Sequence, residues 1–200
     1  SIPYAAAKLV AHHSTKIYRE SYNLFLSNGI LFNHESPLRG LEFVTRKITN
    51  EVAKIKLGLS NSISLGNIKS SRDWGYAPDY VEAMWRILQY KEPIDIVIAT
   101  NTNYTVENFL DKACQHVGLD YQEFLQVDKK FLRPLDVNYL RGDNSKAKKL
   151  LGWEPNITFD SLVQIMVDAD IDRWTAYKEG KHIPWDALHY PSENNMINFE

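Results

Sequence analysis

Cysteine is nearly absent: Cys114 stands alone among 200 residues. A single thiol excludes an internal disulfide and any metal site built on a cysteine cluster. A reducing, cytoplasmic setting is the simplest reading. A long apolar run is missing as well. No stretch of roughly 18 apolar residues occurs, so no transmembrane helix is predicted. The opening Ser1-Ile2-Pro3-Tyr4 does not read as a signal peptide. Positive charge is not in excess: Lys+Arg is 23 against Asp+Glu 25, a net charge of -2. That balance argues against a general nucleic-acid binder. The glycine motif G-x-G-x-x-G is also lacking, so the phosphate-cradling half of any dinucleotide site lies elsewhere. The chain begins without Met, and is expected to be a piece of a longer protein.

What remains is a globular composition, 44% hydrophobic, 12% aromatic and 24% charged, with room for one domain or one and a half. Ala5 to Tyr22 has helix spacing and good helix formers, with Pro3 at its entry. Leu24 to Phe32 reads as a buried strand, and Asn33 to Gly40 as a polar loop. Val44 to Leu57 is predicted helical, with Val44, Ile48, Val52 and Ile55 on one face and Gly58 at its end. A brief strand at Ile63 to Leu65 and a polar loop from Gly66 to Gly75 follow. Pro78 opens a helix through Val81, Met84, Trp85 and Leu88, and Ile94 to Ala99 is a buried strand.

Thr105 caps a helix that Gly118 ends. Leu132 to Arg141 is irregular. Asp143 or Asn144 caps a short helix stopped by Gly152, and Thr158 caps a last one through Leu162, Ile165, Met166 and Ala169. From Arg173 the tail is aromatic and patternless. Strands alternating with helices give an α/β class with a mostly parallel sheet. The missing strands would precede Ser1.

Several side chains can carry chemistry. Tyr4 and Lys8 stand four apart on one helix face. A Lys ammonium beside a phenol favours the phenolate, which can take a proton from an alcohol or sugar hydroxyl. Tyr177 and Lys181 have the same spacing, and either pair alone also reads as a surface coincidence. In the loop after the first strand, His34 can donate to a phosphate or ribose, and Arg39 can hold a phosphate with its planar fork. A solvated connector is the alternative. Thr45, Arg46 and Lys47 open a helix, where anions are attracted. Lys47 with Arg72 can bracket a diphosphate, or both are surface cations. Arg133 and Asp136 can meet a ribose, or form an exposed ion pair. His12 and His13 lack a metal partner at i+4. Asp168, Asp170, Asp172 and Glu35 show no metal-loop spacing, so no metal is expected.

Taken together, PYAAAK (3–8), NGILFNHESPLRG (28–40), FVTRKI (43–48), RDWGYAPDYVEAMW (72–85), VIAT (97–100), RP-x-D-V (133–137) and GDNSKAKKLLGWEP (142–155) resemble the GDP-mannose 4,6-dehydratases. That family lies within the extended short-chain dehydrogenase/reductase superfamily. The segments run in family order over roughly residues 3 to 172, and correspond to the C-terminal part. The resemblance implies the C-terminal portion of a Rossmann-like, doubly wound parallel sheet plus a smaller α/β nucleotide-sugar-binding domain. It places a remnant of the NADP-binding domain at 1–40 and 76–102, the GDP-sugar domain at 41–75 and 103–172, and a tail at 173–200.

The resemblance also implies roles. Tyr4 would be the active-site base and Lys8 its partner, and both would touch the cofactor, NADP, with His34 and Arg39. Asn33, Val44, Lys47, Gly66, Arg72, Arg133 and Asp136 would contact the GDP-sugar. The implied reaction oxidises C4 of the mannose, removes water across C5 and C6, and reduces C6. The implied partners are GDP-mannose, the N-terminal half of the same enzyme and further copies in a dimer or tetramer, with no nucleic acid and no membrane. Three positions depart from the family pattern: Leu38 where an Arg is usual, Asp136 for Glu, and Ile2 for Ser. Two other readings stand beside this one. One is a different NAD(P)-dependent nucleotide-sugar dehydratase or epimerase. The other is a non-catalytic nucleotide-sugar-binding fragment.

Overall fold

The computed structural model describes residues 2–128, 130 and 138–181. In chain order the elements are α1 (Ile2–Tyr22), β1 (Asn28–Leu31), β2 (Asn33–Glu35), α2 (Val44–Lys56), β3 (Ile63–Leu65), β4 (Ser71–Arg72) and β5 (Trp74–Tyr76). They continue with α3 (Ala77–Gln89), β6 (Asp95–Ile98), β7 (Tyr104–Thr105), α4 (Val106–His116), a 3-10 turn at Tyr121–Glu123, β8 (Leu125–Val127), α5 (Ser145–Leu151) and α6 (Phe159–Lys178). The chain divides into two compact units, described residues 2–34, 72–103 and 138–157 in the first, and 35–71, 104–128, 130 and 158–181 in the second.

The first unit is built on β1 and β6, paired in parallel from Asn28 opposite Asp95 to Leu31 opposite Ile98. Phe32 N–H extends the ladder to Ile98 O at 3.0 Å. Ile96 and Ile98 of β6 are buried against Tyr80, Ala83 and Ile87 of α3, with Ala147 of α5 and Trp153. The residues 138–157 thus complete this unit's core rather than joining 103–132, as the expected boundaries had it. The apolar residues that suggested α3, Val81, Met84, Trp85 and Leu88, face outward. Its core face is Tyr80, Ala83 and Ile87, spaced three and four apart. α1 is long but little buried, with Leu9, Val10, Ile17 and Tyr18 all more than half exposed.

The expected buried strand over Leu24 to Phe32 is a correction. Leu24, Phe25 and Ile30 are each about 44–45% exposed, because among the described residues β1 pairs with β6 alone.

The second unit packs α2, α4 and α6 on one another. Its buried faces are Ile48, Val52 and Ala53; Phe109, Leu110 and Ala113; and Leu162, Val163, Met166 and Val167. Each large side chain so buried contributes about 1.5–3 kcal/mol. β3 and β8 pair in parallel, Ile63 opposite Leu125 through Leu65 opposite Val127. Helix ends follow their sequence signals. Thr105 Oγ1 accepts from Asn108 N and the Asn108 side chain answers to Thr105 N–H, a capping box. Gly118, at φ 72°, closes α4.

Three further readings change. Asn33 to Glu35 is strand, and Gly66 to Gly75 contains β4 and the first two residues of β5. Segments of two or three residues are ordered by their partners and show no period of their own. The tail expected from Arg173 is helical to Lys178, because Trp174 continues α6's buried face and its Nε1–H donates to Asn50 Oδ1 at 2.8 Å.

Candidate functional site

In the first unit, α1 presents Tyr4 and Lys8 one turn apart, with Lys8 Nζ 5.6 Å from the centroid of the Tyr4 ring. Tyr4 is 69% exposed. The far end of the helix is anchored. Arg19 Nη1 and Nη2 donate to the two oxygens of Asp95 at 2.8 and 3.0 Å, and Arg19 Nη1 also donates to Leu26 O. Asn28 backbone N–H and Nδ2 both donate to Asp95 Oδ1 at 3.0 Å. The Arg19 guanidinium holds the Asp95 carboxyl well below the usual carboxylate range. The helix bearing Tyr4 is therefore pinned to β6 through one ion pair.

Asn33 and His34 follow β1, half-buried on β2. His34 Nδ1 lies 2.8 Å from Phe32 O. A carbonyl can only accept, so Nδ1 carries the hydrogen there and Nε2 is left for other work. The imidazole stacks on Tyr80 at 5.1 Å between centroids and 25°. Arg72 sits half-buried on β4. Next to it Asp73, fully buried, accepts from Thr100 N–H and Oγ1, Asn101 N–H and Gly142 N–H at 2.7–3.1 Å. Asp73 thereby ties the Arg72 segment to the end of β6. Gly142 is required by space, since a Cβ there would lie 2.2 Å from Ala99 Cβ.

In the second unit Arg39 is held on three sides. Its Nε is 3.1 Å from Glu35 Oε2. Its guanidinium lies 3.5 Å from the centroid of the Phe43 ring. Its own carbonyl accepts from Arg46 Nη1 at 2.9 Å. Glu35, nearly fully buried, also accepts from Thr45 Oγ1 at 2.6 Å. Among the described residues neither Nη of Arg39 has a partner, so its outer edge suits a phosphate. Leu38, where an Arg is usual in the resembling family, is 64% exposed.

Val44 and Lys47 occupy the first turn of α2, both half-buried. Partial burial pushes the Lys47 ammonium down, and Lys130 adds to this while Glu51 and Asp128 oppose it. Gly66 follows β3.

The expected site residues thus fall in both units: Tyr4, Lys8, Asn33, His34 and Arg72 in the first, Arg39, Val44, Lys47 and Gly66 in the second. Arg133 and Asp136 lie outside the described residues. The second Tyr–Lys pair is different in kind. Tyr177 packs edge-on against Trp174 within α6, and Lys181 pairs with Glu179. No group of three or more potential metal ligands occurs among the described residues. Likewise, no helix among them is long and apolar enough to cross a membrane.

Sequence reasoning missed the supports: Glu35, Phe43, Asp73, and a buried cluster in which Asp170 meets Arg46, Thr49 and Arg173. A signal existed for one of them. Asp170 continues the stripe Val163, Met166, Val167 on α6, and a charge inside an apolar stripe needs a buried partner.

The family model described as GDP-mannose 4,6 dehydratase matches residues 1–166. GDP-mannose 4,6 dehydratase 1 of Arabidopsis thaliana is 54% identical over 170 residues, covering 85% of this chain and 47% of that protein. The human GDP-mannose 4,6 dehydratase is 48% identical over 187 residues, covering 85% and 50%. The Vibrio cholerae GDP-mannose 4,6-dehydratase is 41% identical over 198 residues, covering 86% and 53%. The chain spans about half the length of the curated relatives it matches.

Among solved structures, RMD from Pseudomonas aeruginosa, complexed with NADPH, superposes with a TM-score of 0.79 at 21% identity, over 86% of this chain and 57% of that one. The dTDP-glucose 4,6-dehydratase of Bacillus anthracis, in complex with NAD, gives 0.74 at 19%, over 90% and 55%. These two show the fold.

Proposed function

The chain belongs to the GDP-mannose 4,6-dehydratase family, and on that premise we propose that it is the part of such an enzyme that carries the proton-transfer pair and much of the GDP-sugar site. The observation that carries this reading is the pair itself. Tyr4 and Lys8 stand one turn apart on an exposed helix face, with the ammonium beside the phenol ring. Tyr4 takes the proton of the C4 hydroxyl of GDP-mannose as C4 becomes a ketone, and the proton is given back at C5 when C6 is reduced. Lys8 steadies the negative oxygen and holds the ribose of the cofactor.

A nicotinamide cofactor, NADP in this reading, supplies the redox chemistry at C4 and C6 when bound. His34, with Nδ1 fixed on Phe32 O, and Arg39, with its outer edge unpartnered, hold it. Asn33, Val44, Lys47, Gly66, Arg72, Arg133 and Asp136 hold GDP-mannose, the lysine and Arg72 on its diphosphate. The product is the 4-dehydro-6-deoxy sugar nucleotide, formed with loss of one water, which makes the enzyme a lyase. The N-terminal half of the enzyme, and further copies in a dimer or tetramer, complete the assembly. Exposed Leu9, Val10, Ile17 and Tyr18 on α1 offer the apolar surface such partners cover. A single, buried cysteine fits a reducing cytoplasm.

The test is to supply this chain with the N-terminal half by co-expression, incubate with GDP-mannose and NADP, and weigh the sugar nucleotide by mass spectrometry. A product lighter by one water supports the reading. A product of unchanged mass but new configuration would make it an epimerase, and binding without any product would make it a binding fragment.

A further inference from the structure

Beneath the loop that bears Arg39 lies a cluster of charges to which the proposed chemistry assigns no part. Asp170 of α6 is fully buried and takes Arg46 Nε at 2.9 and 3.0 Å and Arg46 Nη2 at 2.9 Å. Thr49 Oγ1 donates to it at 2.6 Å and Arg173 Nη1 at 3.1 Å. The two guanidinium groups then reach past the carboxylate to the loop backbone. Arg46 Nη1 donates to Pro37 O at 2.6 Å and to Arg39 O at 2.9 Å, and Arg173 Nη2 donates to Pro37 O at 2.9 Å. Two carbonyls of a half-buried loop are thus held by three charge-assisted bonds, two from the buried Arg46 and one from the half-buried Arg173.

A buried ion cluster adds little net stability over apolar packing of the same volume. What it does add is direction, because a guanidinium fork fixes the position of each oxygen it holds. Here the oxygens belong to the backbone at Pro37 and Arg39, and the side chain of Arg39 is then aligned by Glu35 and Phe43.

We propose that Arg46 and Arg173, balanced on Asp170, are positioning residues that set the loop 36–40 so that Arg39 meets the cofactor phosphate without first being ordered. A preset loop spares the cost of ordering it on binding. This rests on the reading of Arg39 as a cofactor contact.

The experiment uses the full-length enzyme and compares wild type, Arg39→Gln, Arg173→Gln and the double variant. NADP affinity is read by calorimetry, and KM for GDP-mannose and melting temperature alongside. Arg39→Gln is expected to weaken NADP binding at least about 10-fold, the loss of a charge-assisted bond. Arg173→Gln keeps the Arg46–Asp170 pair and is expected to weaken NADP about 3- to 10-fold by giving up one bond on Pro37. KM for GDP-mannose should stay near wild type. Because Arg173 acts through Arg39, the double variant should bind NADP no worse than Arg39→Gln alone.

Should Arg173→Gln fold poorly, Arg173→Lys keeps the charge beside Asp170 but cannot also reach Pro37, and should show the same cofactor-selective loss. Multiplying effects in the double variant, or a lowered melting temperature with unchanged NADP affinity, would overturn the proposal and leave the cluster a packing device. Unchanged NADP affinity in Arg39→Gln would overturn the cofactor reading of Arg39 itself, and this proposal with it.

Discussion

Replacing Asp95 with Asn removes the charge that pins α1, the helix of Tyr4 and Lys8, to β6. Four donor contacts converge on this carboxylate: two from Arg19 and two from Asn28, all at 2.8–3.0 Å. Little else is available to replace them, since the apolar side chains of α1 are mostly exposed. The side chains of Arg19 and Asp95 are 18% and 26% exposed, so solvent screens the pair only in part. Hydrogen bonds to a charged group are worth about 1.5–3 kcal/mol. For a chain of this size that loss lowers the melting temperature by about 3–12 °C.

The pH dependence follows from the same pair. Arg19 depresses the folded-state pKa of Asp95 below its unfolded value of about 3.9. The contribution is therefore fully present above the unfolded value and is lost as pH falls through the folded one. Wild type and Asp95→Asn should differ most near neutral pH and converge in strong acid. Melting curves from pH 7 to pH 2, with amide hydrogen exchange along α1 at pH 7, give both readings. A gap that stays constant across that range, or α1 amides no faster in the variant, would refute the reasoning.

Gly142→Ala forces a Cβ to within 2.2 Å of Ala99 Cβ, and should cost about 1–3 kcal/mol of stability by chemical denaturation. Cys114 is almost fully buried and its thiol is pushed up to about 12 by burial, with the charges of Asp111 and Asp120 adding to it. It should therefore resist iodoacetamide in the native chain at pH 8 and react once urea unfolds it, and stoichiometric native labelling would contradict this. Arg72→Ala in a complete enzyme should weaken GDP-sugar binding by about 1.5–3 kcal/mol in a direct titration. An unchanged affinity would return Arg72 to a structural role on β4.

Much of this fold is legible in local signals. Thr105 and Gly118 bracket α4, Gly152 stops α5 at φ 60°, and the branched run Ile94 to Ala99 contains β6. These elements carry their own start and stop chemistry, or their own composition. The strands β2, β4 and β5 do not, because pairs and triplets of residues take extended form only where tertiary partners wait for them. The end of α6 was hidden differently. Arg173, Trp174 and Tyr177 break a simple apolar count, yet Trp174 lies four residues beyond Asp170 on the same buried face.

At the site, spacing alone gave Tyr4–Lys8 and Tyr177–Lys181 equally. Their surroundings separate them: one phenol is open on α1, the other packs on Trp174. Arg39 was legible as a cation in a loop, but its alignment was not. That depends on Asp170, more than a hundred residues along the chain, and no short-range pattern joins the two.

The central claim is that Tyr4 moves the proton of the C4 hydroxyl, and Tyr4→Phe in the full-length enzyme tests it most directly. The substitution keeps the ring and removes the oxygen. General acid–base catalysis is worth about 10²- to 10⁴-fold, so turnover of GDP-mannose should fall by at least about 100-fold. Affinity for GDP-mannose should change little, because the diphosphate contacts are assigned to other residues, and Tyr177→Phe should leave turnover at the wild-type rate. Near-normal turnover in Tyr4→Phe, or a greater loss in Tyr177→Phe, would contradict the account.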